Sequence, residues 1–152
     1  DVGQGNFEEV SVIEKAGDYG WSIMEGNNCF ENAPCDTSAA PNGVNADGMT
    51  APLIDYDSNN GSCSVTGLGV YHSCEVPGWD GIYFYADYCS ANIMALVWDG
   101  STVDDIGIVA NAGEAVIGSG STGHGDVLVT TVVTDDFGTL LDGKVYRIAP
   151  AG

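Results

Sequence analysis

Short stretches of alternating or continuously apolar residues, broken by glycine, proline and acidic turns, run through the whole chain. Glu8 to Glu14 alternates as a half-buried strand does, and Lys15-Ala-Gly-Asp18 is its turn. Pro52 to Tyr56 is a short strand candidate before the Asp57-to-Gly61 turn. Ser64 to His72, Gly81 to Asp87 and Asn92 to Trp98 are β-rich runs, with Val103 to Ala110 a weaker fourth. Pro77-Gly78, Cys89-Ser90 and Asp99-Gly100 supply the turns around them. Short antiparallel strands joined by such turns build a propeller blade or a sandwich sheet.

The tail predicts strands at Val127 to Thr134, Thr139 to Leu141 and Lys144 to Ile148. Phe137-Gly138 and Asp142-Gly143 are the expected turns between them. Gly118 to Gly125 is rich in glycine and serine and is expected to be a loop tip or flexible connection. Asn27 to Thr50, dominated by Asn, Ala, Pro, Gly and Asp, is expected to be a long surface loop. Nothing has the period of a crossover helix, so the fold class is all-β.

Composition narrows the surroundings. At 152 residues and 44% hydrophobic, the chain is one domain in size and able to bury a core. Three basic residues (Lys15, Lys144, Arg147) face 22 acidic ones, a net charge of −19. Such a surface repels nucleic acid and anionic membranes and attracts cations, with calcium favoured by its oxygen ligands. No run approaches the roughly 18 apolar residues of a membrane span, so no membrane insertion is expected. No leader is recognisable, and with a start at Asp1 and no methionine the expectation is either that something has been removed upstream or that the chain is a fragment.

Five cysteines indicate an oxidising compartment, secreted or periplasmic, and their odd number leaves one over. Cys29 and Cys35 enclose a short loop and suit a local disulfide, which would pin the Asn27-to-Thr50 stretch. Asn60-Gly61-Ser62 is a glycosylation sequon in a polar loop. His72 and His124 are the only histidines, and no three- or four-ligand zinc set can be assembled around them. No nucleophile elbow, zinc-protease helix or phosphate loop is present, so no catalytic residue is assigned.

Read together, Asp1-Val-Gly-Gln4, Phe7-Glu-Glu-Val10 and Asp18-Tyr-Gly-Trp21 with Met24-Glu-Gly26 resemble the glucose/sorbosone dehydrogenase family. Cys63-Ser-Val-Thr-Gly67, Gly69-Val-Tyr71, Gly81 to Ser90, Met94-Ala-Leu96 and Gly143 to Ile148 continue the likeness in order. That family includes soluble quinoprotein sugar dehydrogenases and Hedgehog-interacting-protein-like propellers. The resemblance implies that residues 1–152 are the C-terminal portion of a six-bladed β-propeller. That is about two blades of antiparallel four-stranded sheet with long disulfide-pinned loops, an incomplete ring.

The resemblance also implies site residues. A glutamate and a tyrosine ten residues later, here Glu9 and Tyr19, match positions that hold calcium in quinoprotein members. Gly3 and Gln4 fall where backbone carbonyls hold the calcium of the quinone cofactor. The alternative for Glu8, Glu9 and Tyr19-Gly20-Trp21 is a pair of solvated strand ends and a packing corner. Cys63 and Cys89 sit in matching motifs and are the implied second disulfide, leaving Cys74 unpaired or intermolecular.

The family's catalytic histidine and arginine have no counterpart in this segment. Tyr71-His72 stands where many relatives have Tyr-Arg, so the cations that would embrace a pyrroloquinoline quinone are missing. The expected function is therefore a secreted, non-catalytic binding or structural module. Its expected partners are the remaining propeller blades or other copies of the chain, the latter building an extracellular polymer by completing neighbouring β-sheets. The competing expectation is a C-terminal fragment of a calcium- and pyrroloquinoline-quinone-dependent sugar dehydrogenase.

Overall fold

The structure is a computed structural model that describes residues 1–135 and 138–151. The expected Phe137-Gly138 turn and the acidic pair Asp135-Asp136 fall partly outside the described residues. The chain divides into two compact units, residues 1–65 and 66–152. Strands dominate the second, whereas the first is mostly loop around short strands, and the described helical pieces are short 3₁₀ turns at Phe30–Asn32 and Pro77–Trp79.

In the first unit, β1 (Phe7–Val10) pairs antiparallel with β4 (Ile54–Asp57), with Glu8 opposite Tyr56 and Glu9 opposite Asp55. A small hairpin of β2 (Met24–Glu25) and β3 (Asn28–Cys29) lies between them in sequence. β1 is shorter than the predicted Glu8-to-Glu14 strand. Its Glu8 and Glu9 are buried, not solvated strand ends, because the loops around them offer backbone N–H groups instead of water.

The long Asn27-to-Thr50 connection holds its shape through several devices. A disulfide joins Cys29 to Cys35. Asp36 accepts from the N–H of Ser38 and of Ala46, each at 2.8–2.9 Å, drawing the loop ends together. Buried Asn45 caps the N–H of Met49 at 2.9 Å, and Val44 bridges to Thr50.

The second unit contains two sheets. β5 (Val65–Val70), β6 (Tyr83–Asp87), β7 (Asn92–Trp98) and β8 (Val103–Asn111) form an antiparallel four-stranded sheet in sequence order. β9 (Ala115–Ser121), β10 (Val127–Thr134) and β11 (Leu140–Arg147) form the other, ordered β11-β10-β9. The four-stranded sheet matches the expected blade; the other has three strands among the described residues.

Two expectations for the tail are corrected. The glycine-rich stretch expected as a loop is strand β9 through Ser121, paired with β10 so that Gly118 faces Thr130 and Gly120 faces Leu128. Its small residues lie against the neighbouring sheet, and the Ser119 hydroxyl donates to the Gly67 carbonyl at 3.2 Å. The Asp142-Gly143 turn does not form either. Eight-residue β10 offers a ladder along its whole length, and Gly143 stays extended opposite Val132. Continuous pairing there satisfies more backbone groups than a turn would.

Leu68, Tyr71, Phe84, Ala86, Ile93, Ala95, Val116, Val127 and Val129 pack into one core between these sheets. Val116 and Val129 are completely buried, each worth about 1.5–3 kcal/mol of transfer free energy. Trp79 closes one end, edge-on to Tyr71 with ring centroids 5.5 Å apart.

Candidate functional site

Four acidic side chains organise the first unit, and each is held mainly by amide groups. Glu25 Oε1 accepts from the N–H of Gly5 at 2.7 Å and of Asn6 at 2.9 Å, and Phe7 N–H approaches at 3.4 Å. Glu8 accepts from Gly3 N–H at 3.2 Å, Val65 N–H at 2.8 Å and the Ser58 hydroxyl at 3.1 Å. Glu9 Oε2 accepts from Gly26 N–H at 2.8 Å. Asp55 accepts from Asn27 N–H at 2.9 Å and from the Asn27 side-chain amide at 3.1 Å.

Sequence explains why the backbone can serve these acids. Gly3 passes so close to β1 that a Cβ there would sit 1.9 Å from the Phe7 carbonyl oxygen. Gly26 turns the β2–β3 hairpin at φ +60°, and a Cβ on it would lie 2.6 Å from Asp55 Oδ2. Both glycines permit close approach of chain to carboxylate.

The environments pull the acids apart. Burial pushes the Glu9 carboxyl above its ordinary range, and the Gly26 N–H only partly counters it. Burial acts the same way on Glu25, yet the N–H groups of Asn6, Gly5 and Phe7 outweigh it and hold that carboxyl below the usual range. Glu9 is therefore the readier proton holder and Glu25 the fixed anion.

A pocket of about 210 Å³ opens beside this network, with Asp1, Gly3, Gln4, Glu9, Trp21 and Glu25 among its walls. Three of the four residues singled out from sequence thus meet in one hollow. Tyr19 is not among the pocket's lining residues. Its hydroxyl accepts from Glu14 N–H at 2.6 Å and donates to the Val12 carbonyl at 3.0 Å, closing the turn after β1. Sequence reasoning missed Glu25 and Asp55; the Met24-Glu-Gly26 signature carried the first, but nothing local marked its amide partners twenty residues upstream.

The remaining candidates lie elsewhere. Cys63 and Cys89 are both disulfide-bonded, and Cys74 is an exposed free thiol. His72 Nδ1 lies 2.9 Å from Asp80 Oδ1 on an exposed surface, while His124 is exposed in a turn. Asn60 is exposed just beyond β4. Among the described residues no group of three or more His, Cys, Asp or Glu side chains is arranged to hold a metal ion. No described helix is long and apolar enough to cross a membrane.

A family model for glucose/sorbosone dehydrogenase matches residues 1–141. The chain belongs to the glucose/sorbosone dehydrogenase family. HIPL1 protein of Arabidopsis thaliana is 35% identical over 100 residues, covering 62% of this chain and 14% of that protein. HIPL2 protein of the same plant is 34% identical over 105 residues, covering 64% and 14%. This glucose/sorbosone dehydrogenase-family chain therefore spans about a seventh of the length of those curated relatives.

Among solved structures, the apo soluble aldose sugar dehydrogenase of Escherichia coli superposes with a TM-score of 0.60 at 20% identity, over 94% of this chain and 39% of that one. A glucose dehydrogenase superposes with a TM-score of 0.65 at 18% identity, over 99% and 40%. These likenesses show the fold: an all-β, propeller-derived segment.

The family is known for quinone and calcium, and the residues present fit the two unequally. Calcium takes hard oxygens, and Glu9 keeps Oε1 free of any described hydrogen bond at the wall of a hollow also lined by Gln4. A quinone bearing several carboxylates would meet Asp1, Glu9 and Glu25 there, with no basic side chain in the lining.

Proposed function

We propose that the chain is the C-terminal portion of a secreted, sugar-dehydrogenase-like propeller that serves as a binding or structural module and does not oxidise sugar. The observation that carries this reading is the disposition of its cations. Lys144 is ion-paired with Glu114 and Arg147 with Glu75, while Lys15 lies on the exposed turn after β1. An anionic cofactor in the pocket of the first unit would face like charges, each costing about 1–4 kcal/mol at 4 Å in surface-like surroundings.

The sheet edges support the assembling role. β8 and β11 end their sheets, and Ile106, Ile108 and Val109 on one and Leu140, Leu141, Val145 and Tyr146 on the other are exposed. Exposed apolar edge strands are templates for strand addition. The remaining blades, or other copies of this chain, are the strands that would complete them. Oxidised cysteines support an extracellular or periplasmic setting. Calcium at Glu9, with Gly3 and Gln4 beside it, has a structural place in this reading.

A second reading, a C-terminal fragment of a calcium- and quinone-dependent sugar dehydrogenase, is favoured by the convergence of Gly3, Gln4 and Glu9 on one hollow. The two separate in one experiment. The purified chain is given calcium and pyrroloquinoline quinone, with sugar-dependent dye reduction and light scattering followed together. Assembly without turnover is expected; saturable quinone binding with sugar oxidation overturns the proposal.

A further inference from the structure

We propose that Asn60 is the acceptor of an N-linked glycan. Asn60-Gly61-Ser62 has a hydroxyl residue two positions after the amide and no proline between, the pattern that an oligosaccharyltransferase requires. The structure adds what the pattern lacks. Asn60 is exposed at the tip that follows β4, and Gly61 beside it is exposed too, at φ +91° with open space where a Cβ would be. A bulky substituent meets no wall there.

The tip is ordered by its neighbours, not by Asn60. Asp57 Oδ1 accepts from Asn59 N–H at 2.6 Å and from the Asn59 side-chain amide at 2.5 Å, and Ser58 N–H donates to the Asn6 carbonyl at 2.8 Å. No described hydrogen bond uses the Asn60 side chain. The side-chain amides of Asn6, Asn27, Asn28, Asn45, Asn59 and Asn111 are all committed to partners. Like Asn32 and Asn42, Asn60 has no described side-chain partner, and of these three it alone begins an Asn-x-Ser/Thr sequon.

In the reaction, Asn60 Nδ2 forms a bond to the anomeric carbon of a lipid-diphosphate-linked oligosaccharide. The bond from that carbon to the diphosphate oxygen breaks, the lipid diphosphate leaves, and one Nδ2 proton is lost. The co-reactant is the lipid-linked sugar of a secretory compartment. The inference shares that compartment with the proposed function but does not depend on a non-catalytic role.

The test is secretion of the full 152-residue chain behind a cleavable leader from a eukaryotic host, followed by intact-mass and glycopeptide analysis. A hexose- and N-acetylhexosamine-bearing peptide containing Asn60 is expected. Peptide N-glycosidase should remove the glycan from the folded protein and leave Asp at that position. Asn60→Gln and Ser62→Ala should each lose the adduct, and Ser62→Thr should raise occupancy. Secreted wild type at its bare polypeptide mass overturns the assignment, as does a glycan that persists in both loss variants.

Discussion

Glu25 Oε1 lies 2.7 Å from the N–H of Gly5, so an acid of the β2–β3 hairpin holds the loop that leads into β1. The same oxygen takes Asn6 N–H at 2.9 Å, and Oε2 takes the Asn6 side-chain amide at 3.3 Å. Hydrogen bonds to a buried charge are individually worth about 1.5–3 kcal/mol, and truncation leaves the donors unpaired. Glu25→Ala is therefore expected to destabilise the first unit by about 2–3 kcal/mol. Denaturant unfolding followed by Trp21 fluorescence checks it. A loss within the noise of a surface substitution would show that water replaces the carboxylate at little cost.

The C-terminal strand has its own electrostatic clasp. Glu114, just before β9, accepts from Thr131 of β10 at 2.7 Å and pairs with Lys144 of β11, so one carboxylate ties three strands. The Lys144 ammonium and the Thr131 hydroxyl hold the Glu114 carboxyl below its ordinary range, and Glu114 in turn raises Lys144. A depressed carboxyl contributes stability above its unfolded pKa, lost as pH falls through the folded one. A raised amine contributes stability below its unfolded pKa, lost as pH rises through the folded one. Wild type should therefore exceed Glu114→Gln in Tm near neutral pH, and the two should converge at the acidic and strongly alkaline ends. Parallel curves across the whole range would remove the clasp.

Much of the fold was legible because its strands carry their own pattern. Asn92–Trp98 and Val127–Thr134 occur with the bounds that alternation and turn residues imply. Asp142-Gly143 and the glycine-rich run before Thr122 misled for one reason: local turn preference is weak beside a long partner strand, and β10 recruits both segments into its ladder. The pocket was half legible. Gly3, Gln4 and Glu9 are neighbours in sequence and share it, but Glu25 joins through a fold-dependent contact that no spacing rule announces. The burial of Glu8 and Glu9 was hidden for a related reason. Composition counts acids as surface charge, whereas here backbone amides solvate them inside.

The loop after β3 is expected to depend on its disulfide. Closing a seven-residue loop removes about 2 kcal/mol of chain entropy from the unfolded state. Cys29→Ser with Cys35→Ser should lower the stability of the chain by about that amount, which calorimetry reads as a lowered Tm. Thiol titration of the native, unreduced chain should find Cys74 alone. A second reactive thiol would mean that one of the other four cysteines is not oxidised.

Edge pairing makes the most specific demand, because charge and strand addition pull in opposite directions. Copies carrying −19 repel one another, so assembly should be weak in dilute buffer and rise with salt. The screening length shrinks from about 8 Å at physiological ionic strength to about 3 Å at 1 M. Ile108→Lys on β8 and Val145→Lys on β11 each make the chain less negative, which on charge alone would favour assembly. Both place a solvated ammonium on an exposed edge, a feature that blocks a further strand. Reduced assembly in both variants by light scattering at high salt is therefore expected. Enhanced assembly would show that charge, not the edges of β8 and β11, governs association, and the partner strands would have to be sought elsewhere.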